Sequence, residues 1–186
     1  MKRESIAFTG KIGEVVHIEQ EDGRVFEQYR RAPGIRLIII SPKNKILITK
    51  EHRTETDGID LRLPGGKVRD SIEEWHKLVN NGQNILDAVR EIAIKEGSEE
   101  TGLDIKDPTF LVKANAGSTV QWDLFYWVVR DYKELPGGQQ LEHGEDISVT
   151  WMSPNEIITA ISNGQMNEWR SVGVLLGLVL PQLDIQ

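Results

Sequence analysis

The period of the apolar positions changes along the chain, and each change predicts a change of element. Lys11–Gln20 (KIGEVVHIEQ) and Arg24–Arg30 (RVFEQYR) alternate as strands and flank Glu21-Asp22-Gly23, a hairpin turn. Arg31-Ala32-Pro33-Gly34 breaks the pattern. Ile35–Ile40 (IRLIII) is nearly continuous in apolar residues and predicts a buried strand. Ser41–Asn44 (SPKN) is a turn, and Lys45–Lys50 (KILITK) is read as the hairpin partner of that strand. Ile59–Leu63 is a short strand ending in Pro64-Gly65-Gly66.

The spacing then becomes helical. Ser71–Val79 (SIEEWHKLV) opens on a serine cap with acidic residues in its first turn, and Asn80-Asn81-Gly82 stops it. Asn84 caps a longer helix, Ile85–Thr101, which Gly102 ends. Ile85, Val89, Ile92 and Ala93 form its apolar stripe. Strands return at Thr109–Ala116, Thr119–Val129 and Ile147–Met152, with a polar loop at Pro136–Gly144. Trp122, Phe125, Tyr126 and Trp127 share the second of these strands and point to both its faces, as core or dimer-interface residues. Trp75 and Trp169 lie outside the core strands, placed to pack against the segment after Gly66 or a partner subunit. Ser153-Pro154 opens a helix through about Ile161, and a last helix runs from about Asn167 to Leu180. This order of strands and helices predicts a mixed α/β domain.

Composition narrows the chemistry. The chain has 186 residues, 39% of them hydrophobic, which suits one domain with a real core. It has no cysteine, so disulfides and thiolate chemistry are excluded and any metal site must use oxygen or imidazole ligands. Such ligands favour hard ions: Mg²⁺, Ca²⁺ or Mn²⁺. The formal net charge of −7 argues against broad binding to nucleic acid or an anionic membrane. The opening MKRESIAFTGKIGE lacks the apolar core of a secretory signal, and the longest apolar run, GVLLGLVL, is too short to span a bilayer and reads as a buried helix. A cytoplasmic protein is the expectation.

Ala93–Leu103 (AIKEGSEETGL) holds the most informative chemistry. On a helix, Glu96, Glu99 and Glu100 share a face. Their repulsion costs roughly a few tenths of a kcal/mol per pair, and the C-terminal end of a helix disfavours anions. Spacing alone leaves two readings open: a solvated acidic face, or a site for a divalent cation such as Mg²⁺.

The segment follows Leu61-Arg62-Leu63-Pro64-Gly65-Gly66-Lys67-Val68, and the two together resemble the Nudix hydrolases. That family's signature is G-x5-E-x7-R-E-U-x-E-E-x-G-U, with U a bulky aliphatic residue; the last nine positions here read K-E-G-S-E-E-T-G-L. Three departures stand out. Lys95 replaces the arginine, keeping charge but losing its planar fork. Gly97 replaces the bulky aliphatic residue, at a cost of about 1 kcal/mol in helix propensity. The loop after Gly66 is about fifteen residues too long, filled by a helix-like insertion at about 69–84, so the upstream glutamate falls on Asp87.

The resemblance implies an α/β/α sandwich with a mixed sheet. It implies Mg²⁺ or Mn²⁺ held by Glu96, Glu99 and Glu100, with the Gly66 carbonyl as a further ligand, and Asp87 orienting Lys95 or a water. The implied reaction is hydrolysis of the pyrophosphate bond of a nucleoside diphosphate derivative. Within the family the chain looks most like the ADP-ribose and nucleotide-sugar pyrophosphatases. That branch has extra N-terminal antiparallel strands, matched here by residues 1–34 before a Nudix domain at 35–186, and such strands imply a homodimer. Tyr29-Arg30-Arg31-Ala32-Pro33-Gly34 resembles the branch's approach to the core, and Ile48–Arg53 a core strand ending in a conspicuous arginine. Arg53 and Arg62 are candidate phosphate or ribose ligands, or else surface arginines. The segment Leu141–Trp151 matches a loop that supplies a carboxylate, with Glu145 the candidate general base and Glu142 the alternative; an ordinary solvated loop is the competing reading. The branch's proline downstream of the signature is missing, Ala116-Gly117-Ser118-Thr119 standing in that region, which puts ADP-ribose itself in question. A non-catalytic sensor of nucleotide sugars is the alternative function; Lys95 and Gly97 support it, and the retained glutamates oppose it.

Overall fold

Gly34–Ile39 is buried along its whole length, and the fold is organised around it. The computed structural model describes residues 3–53 and 58–183, with only the backbone at residue 53. The first strands are β1 (Arg3–Thr9), β2 (Gly13–Glu19), β3 (Val25–Arg31), β4 (Gly34–Ile39), β5 (Ile46–Arg53) and β6 (Gly58–Arg62). Helices α1 (Ile72–Asn80) and α2 (Ile85–Thr101) follow. Then come β7 (Leu103–Lys106), β8 (Thr109–Ala114), β9 (Val120–Gln121), β10 (Leu124–Val129), β11 (Asp131–Glu134) and β12 (Ile147–Met152). The chain closes with α3 (Pro154–Ser162) and α4 (Trp169–Val174), the latter continuing through a π-helical turn at Leu175–Val179 and a tight turn at Leu180–Gln182.

Strand β4 pairs in parallel with β10, Ile35 opposite Phe125 and Leu37 opposite Trp127, and β10 pairs antiparallel with β8. The other edge of β4 is taken by the Pro64–Gly66 turn: Ile35 N–H donates to the Gly66 carbonyl at 3.0 Å and Leu37 N–H to that of Pro64 at 2.8 Å. With both edges occupied, β4 cannot accept the hairpin partner expected of Lys45–Lys50. Strand β5 meets that region only through one bridge, Ile40 to Ile46, and pairs instead with β12 and β6.

Alternate residues of β4 and β10 enter two different cores. Ile35, Leu37, Ile39, Phe125 and Trp127 pack with Val89 and Ala93 of α2. Ile38, Leu124 and Tyr126 pack with Ile157 of α3 and Val172 of α4. Helices thus cover both faces of the mixed sheet, giving the expected α/β/α sandwich.

A second sheet, in the order β1-β2-β3-β9, carries the N-terminal strands. Its β9 comes from the predicted strand Thr119–Val129, which splits: Val120–Gln121 joins β3 and Leu124–Val129 joins β4. Between them Trp122 is held by two guanidinium groups, Arg31 and Arg170, each 4.1 Å from its ring centroid. Strand β1 precedes the strand predicted at Lys11–Gln20, and every residue of it is exposed, including Ile6 and Phe8. Helix α1 has its expected Ser71 cap, which accepts from Glu74 N–H at 3.1 Å. Trp75 and Leu78 dock it on the α2 side, and His76 pairs with buried Glu14 of β2 at 3.3 Å. The C-terminal apolar run is buried on one side only, since Leu176 and Leu178 remain exposed. No helix among the described residues is long and apolar enough to cross a membrane.

Candidate active site

Helix α2 begins and ends where its local chemistry says it should. Asn84 accepts from Leu86 N–H at 3.0 Å, and Gly102 closes the helix in the left-handed conformation, φ +70°. Near that end Gly97 faces the core. A β-carbon there would collide with the tips of Leu37 and Ile105, so α2 approaches the sheet more closely than a bulky residue allows. This accounts for glycine at a position where the resembled signature has an aliphatic side chain. Gly97→Leu is expected to lower stability by about 1–3 kcal/mol through overpacking, read as a fall in Tm; an unchanged Tm would mean that the contact with Leu37 is not tight.

The close approach brings the carboxylates of α2 to the Pro64–Gly66 turn. Glu100 is buried and accepts from Gly65 N–H at 2.7 Å. Burial pushes its carboxyl up to about 8; the Gly65 hydrogen bond and Arg36 oppose the rise, while Glu51 and Glu96 add to it by repulsion. Glu96 lies against Gly66, where a β-carbon would strike its Oε2. Burial raises the Glu96 carboxyl too; Lys95 opposes this, and Glu99, Glu142 and Glu145 reinforce it. Glu99 turns aside to Lys95, whose Nζ donates to it at 2.9 Å. Among the described residues no three His, Asp or Glu side chains converge closely enough to hold a cation. Glu96 and Glu100 meet the turn, and Glu99 is held by Lys95.

The donor set nevertheless suits a hard divalent ion. Two carboxyls are driven towards the neutral form by burial and mutual repulsion, and a cation would relieve both effects. The Gly66 carbonyl accepts one hydrogen bond, from Ile35, and keeps a second lone pair.

The loop before β12 folds over the end of α2. Gln140 N–H donates to the Glu99 carbonyl at 2.8 Å, and the Gln139 side chain bonds the carbonyls of Glu100 and Ile147. Glu142 and Glu145 are therefore held close enough to Glu96 to repel its charge. Both are exposed, and Glu145 accepts from Glu142 N–H at 2.9 Å.

The remaining candidates fare differently. Arg62 is engaged by Asp60, a buried carboxylate 2.6 Å from its Nε, which fixes the guanidinium beside β5. Strand β5 ends at Arg53 as expected, but the Arg53 side chain lies outside the described residues. Asp87 does not orient Lys95. It is exposed in the first turn of α2, eight residues and so roughly 12 Å along the axis from Lys95.

Three residues escaped the sequence reading. Gln139 gives no signal in sequence, because its role depends on where a loop lands. Glu51 is a buried carboxylate of β5 whose charge reaches Glu100. Arg36 did leave a signal: it is a lone charge inside the apolar run IRLIII, and its side chain is buried beside the turn.

The NUDIX domain family model matches residues 30–171, most of the chain. A crystal structure of an ADP compounds hydrolase superposes with a TM-score of 0.64, covering 94% of this chain and 91% of the other, at 19% sequence identity. No curated protein matches the chain. With the fold, the Gly65–Gly66 turn and the acidic helix end in agreement with that match, the chain belongs to the Nudix family of hydrolases.

Proposed function

We propose that this protein hydrolyses the pyrophosphate bond of a nucleoside diphosphate derivative, ADP-ribose or a nucleotide sugar, with Mg²⁺ or Mn²⁺. The observation that carries the reading is the convergence of three separate elements. The end of α2, the Pro64–Gly66 turn and the loop bearing Glu142 and Glu145 meet at Glu96. Likeness to an ADP compounds hydrolase supports the substrate class.

Glu96, Glu99 and Glu100 would hold the metal, with the Gly66 carbonyl beside them. A divalent cation there supplies charge neutralisation for the diphosphate and acidifies a bound water. Glu145 is the proposed general base, taking a proton from the attacking water, with Glu142 the alternative. Arg62, braced by Asp60, and Arg53 at the end of β5 bind phosphate or ribose oxygens. Two phosphate-bearing fragments leave. Exposed Ile6, Phe8, Val25 and Phe26 on the N-terminal sheet support its role as a homodimer surface. The alternative sensor reading loses one of its two supports, because close packing accounts for Gly97.

The test is a panel of ADP-ribose, nucleotide sugars, dinucleotide polyphosphates and modified nucleoside triphosphates, assayed with Mg²⁺ and with EDTA. Turnover of at least one diphosphate is expected with Mg²⁺ and none with EDTA. A folded protein that turns over no member would overturn the proposal.

A further inference from the structure

Pro64, Gly65 and Gly66 present three consecutive carbonyls to β4, and each finds a donor there. The Pro64 and Gly66 carbonyls take the backbone N–H groups of Leu37 and Ile35. The Gly65 carbonyl takes Arg36 Nη1, at 2.9 Å, and the same nitrogen bonds the Ile35 carbonyl at 2.8 Å. Gly65 is half-buried, so a Gly65 carbonyl left without a donor costs at most about 1–3 kcal/mol, and without Arg36 the Gly65–Gly66 peptide is no longer held in place. Gly65 has the backbone freedom to turn, since it sits at φ +138°. Its own N–H is the donor that holds Glu100, and Gly66 next to it touches Glu96.

Arg36 Nε is buried without a hydrogen-bond partner, although the charges of Glu100 and Glu168 attract the guanidinium. An apolar side chain of similar volume avoids that desolvation cost. Outside its own strand, Arg36 donates its side-chain hydrogen bond to the turn. We propose that Arg36 is a positioning residue of the active site: by holding the Gly65 carbonyl it fixes the conformation of Gly65, so that the preceding peptide keeps its N–H on Glu100 and Gly66 stays against Glu96. This rests on the reading of those glutamates as the metal-holding site.

Arg36→Met and Arg36→Lys, in the full chain, test the idea. Three readouts matter: Mn²⁺ affinity by electron paramagnetic resonance, the KM and kcat of the diphosphate found active in the panel, and exchange of the Gly65 amide in metal-free protein. For Arg36→Met we expect Mn²⁺ affinity and kcat to fall about 10–100-fold. KM should stay within about twofold, and Gly65 amide exchange should be accelerated. Arg36→Lys, which keeps a donor within reach of the Gly65 carbonyl, should recover part of each. If Arg36→Met fails to fold, Arg36→Gln replaces it with the same expectations. A folded variant with a lower Tm but wild-type Mn²⁺ affinity, kcat and Gly65 exchange would show a merely structural arginine and overturn the proposal. Failure of the wild-type chain to bind Mn²⁺ at all would overturn the metal-site reading itself, an outcome separate from any difference between the variants.

Discussion

Glu100→Gln is expected to abolish Mg²⁺-dependent hydrolysis and, in the metal-free chain, to raise thermal stability above about pH 7. The two effects have one cause. Glu100 is enclosed against the Gly65 amide, and burial lifts its carboxyl to about 8 from an ordinary 4.5. The folded state therefore holds this proton more tightly than the unfolded state does. Stability from the protonated group is fully present below about pH 4.5 and is lost as pH rises to about 8. Desolvation of the ionised carboxylate should cost the metal-free protein on the order of 2–4 kcal/mol at the upper end of that window. Glutamine has no proton to lose, and its amide oxygen can still accept from Gly65. The Tm of the variant should thus exceed that of wild type by an amount that grows between pH 5 and pH 8. Added Mg²⁺ should raise the wild-type Tm and leave the variant nearly unmoved. Loss of one metal carboxylate removes several kcal/mol of transition-state stabilisation, so kcat should drop by about 10³-fold or more. Parallel Tm curves for the two proteins across this pH range would show that Glu100 is not held as a buried acid.

The elements of this fold were legible wherever local chemistry defines them. Both ends of α2 follow from Asn84 and Gly102, and the start of α1 from Ser71. Ser153 and Glu156 form a reciprocal capping box at the start of α3, on the Ser-Pro signal. What remained hidden is set by distant parts of the chain. The partner of β4 looked like β5 because the two are neighbours in sequence. A parallel strand about ninety residues later and a glycine turn take those edges instead. Trp122 breaks a predicted strand because Arg31 and Arg170 claim its ring, and neither is near it in sequence.

The candidate site divides along the same line. Helical spacing puts Glu96, Glu99 and Glu100 on one face, but it does not give the direction of a side chain. Lys95 draws one glutamate aside and Gly65 draws another inward. Gly97 looked like a weakness of the signature until Leu37 and Ile105 were found filling the space of its missing side chain. Arg36 was legible as an anomaly, a charge in an apolar strand, yet its partner, the Gly65 carbonyl, appears only once β4 and the turn are paired. Glu142 and Glu145 were named by resemblance alone. Their approach to Glu96 depends on Gln139 and Gln140 tying the loop to the end of α2.

That loop carries the other large expected effect. Glu145→Gln should lower kcat by roughly 10²–10⁴-fold, the usual contribution of a general base, with little change in KM, Tm or Mn²⁺ affinity. The substitution isolates chemistry from loop structure, since a glutamine oxygen can still accept from Glu142 N–H. Glu142→Gln is expected to cost only a few-fold. Its side chain is exposed, and its influence on Lys95 and Glu96 is through charge. The opposite assignment also has a physical basis, because Glu142 exerts the stronger repulsion on Glu96 in this conformation. Service as the base would then require Glu145 to leave the Glu142 amide and swing towards the helix. Side-by-side kcat values separate the two: a large loss in Glu142→Gln alone would transfer the role to Glu142. Wild-type kcat in both would remove the loop from the chemistry and leave proton abstraction to a carboxylate of α2 or to Glu51.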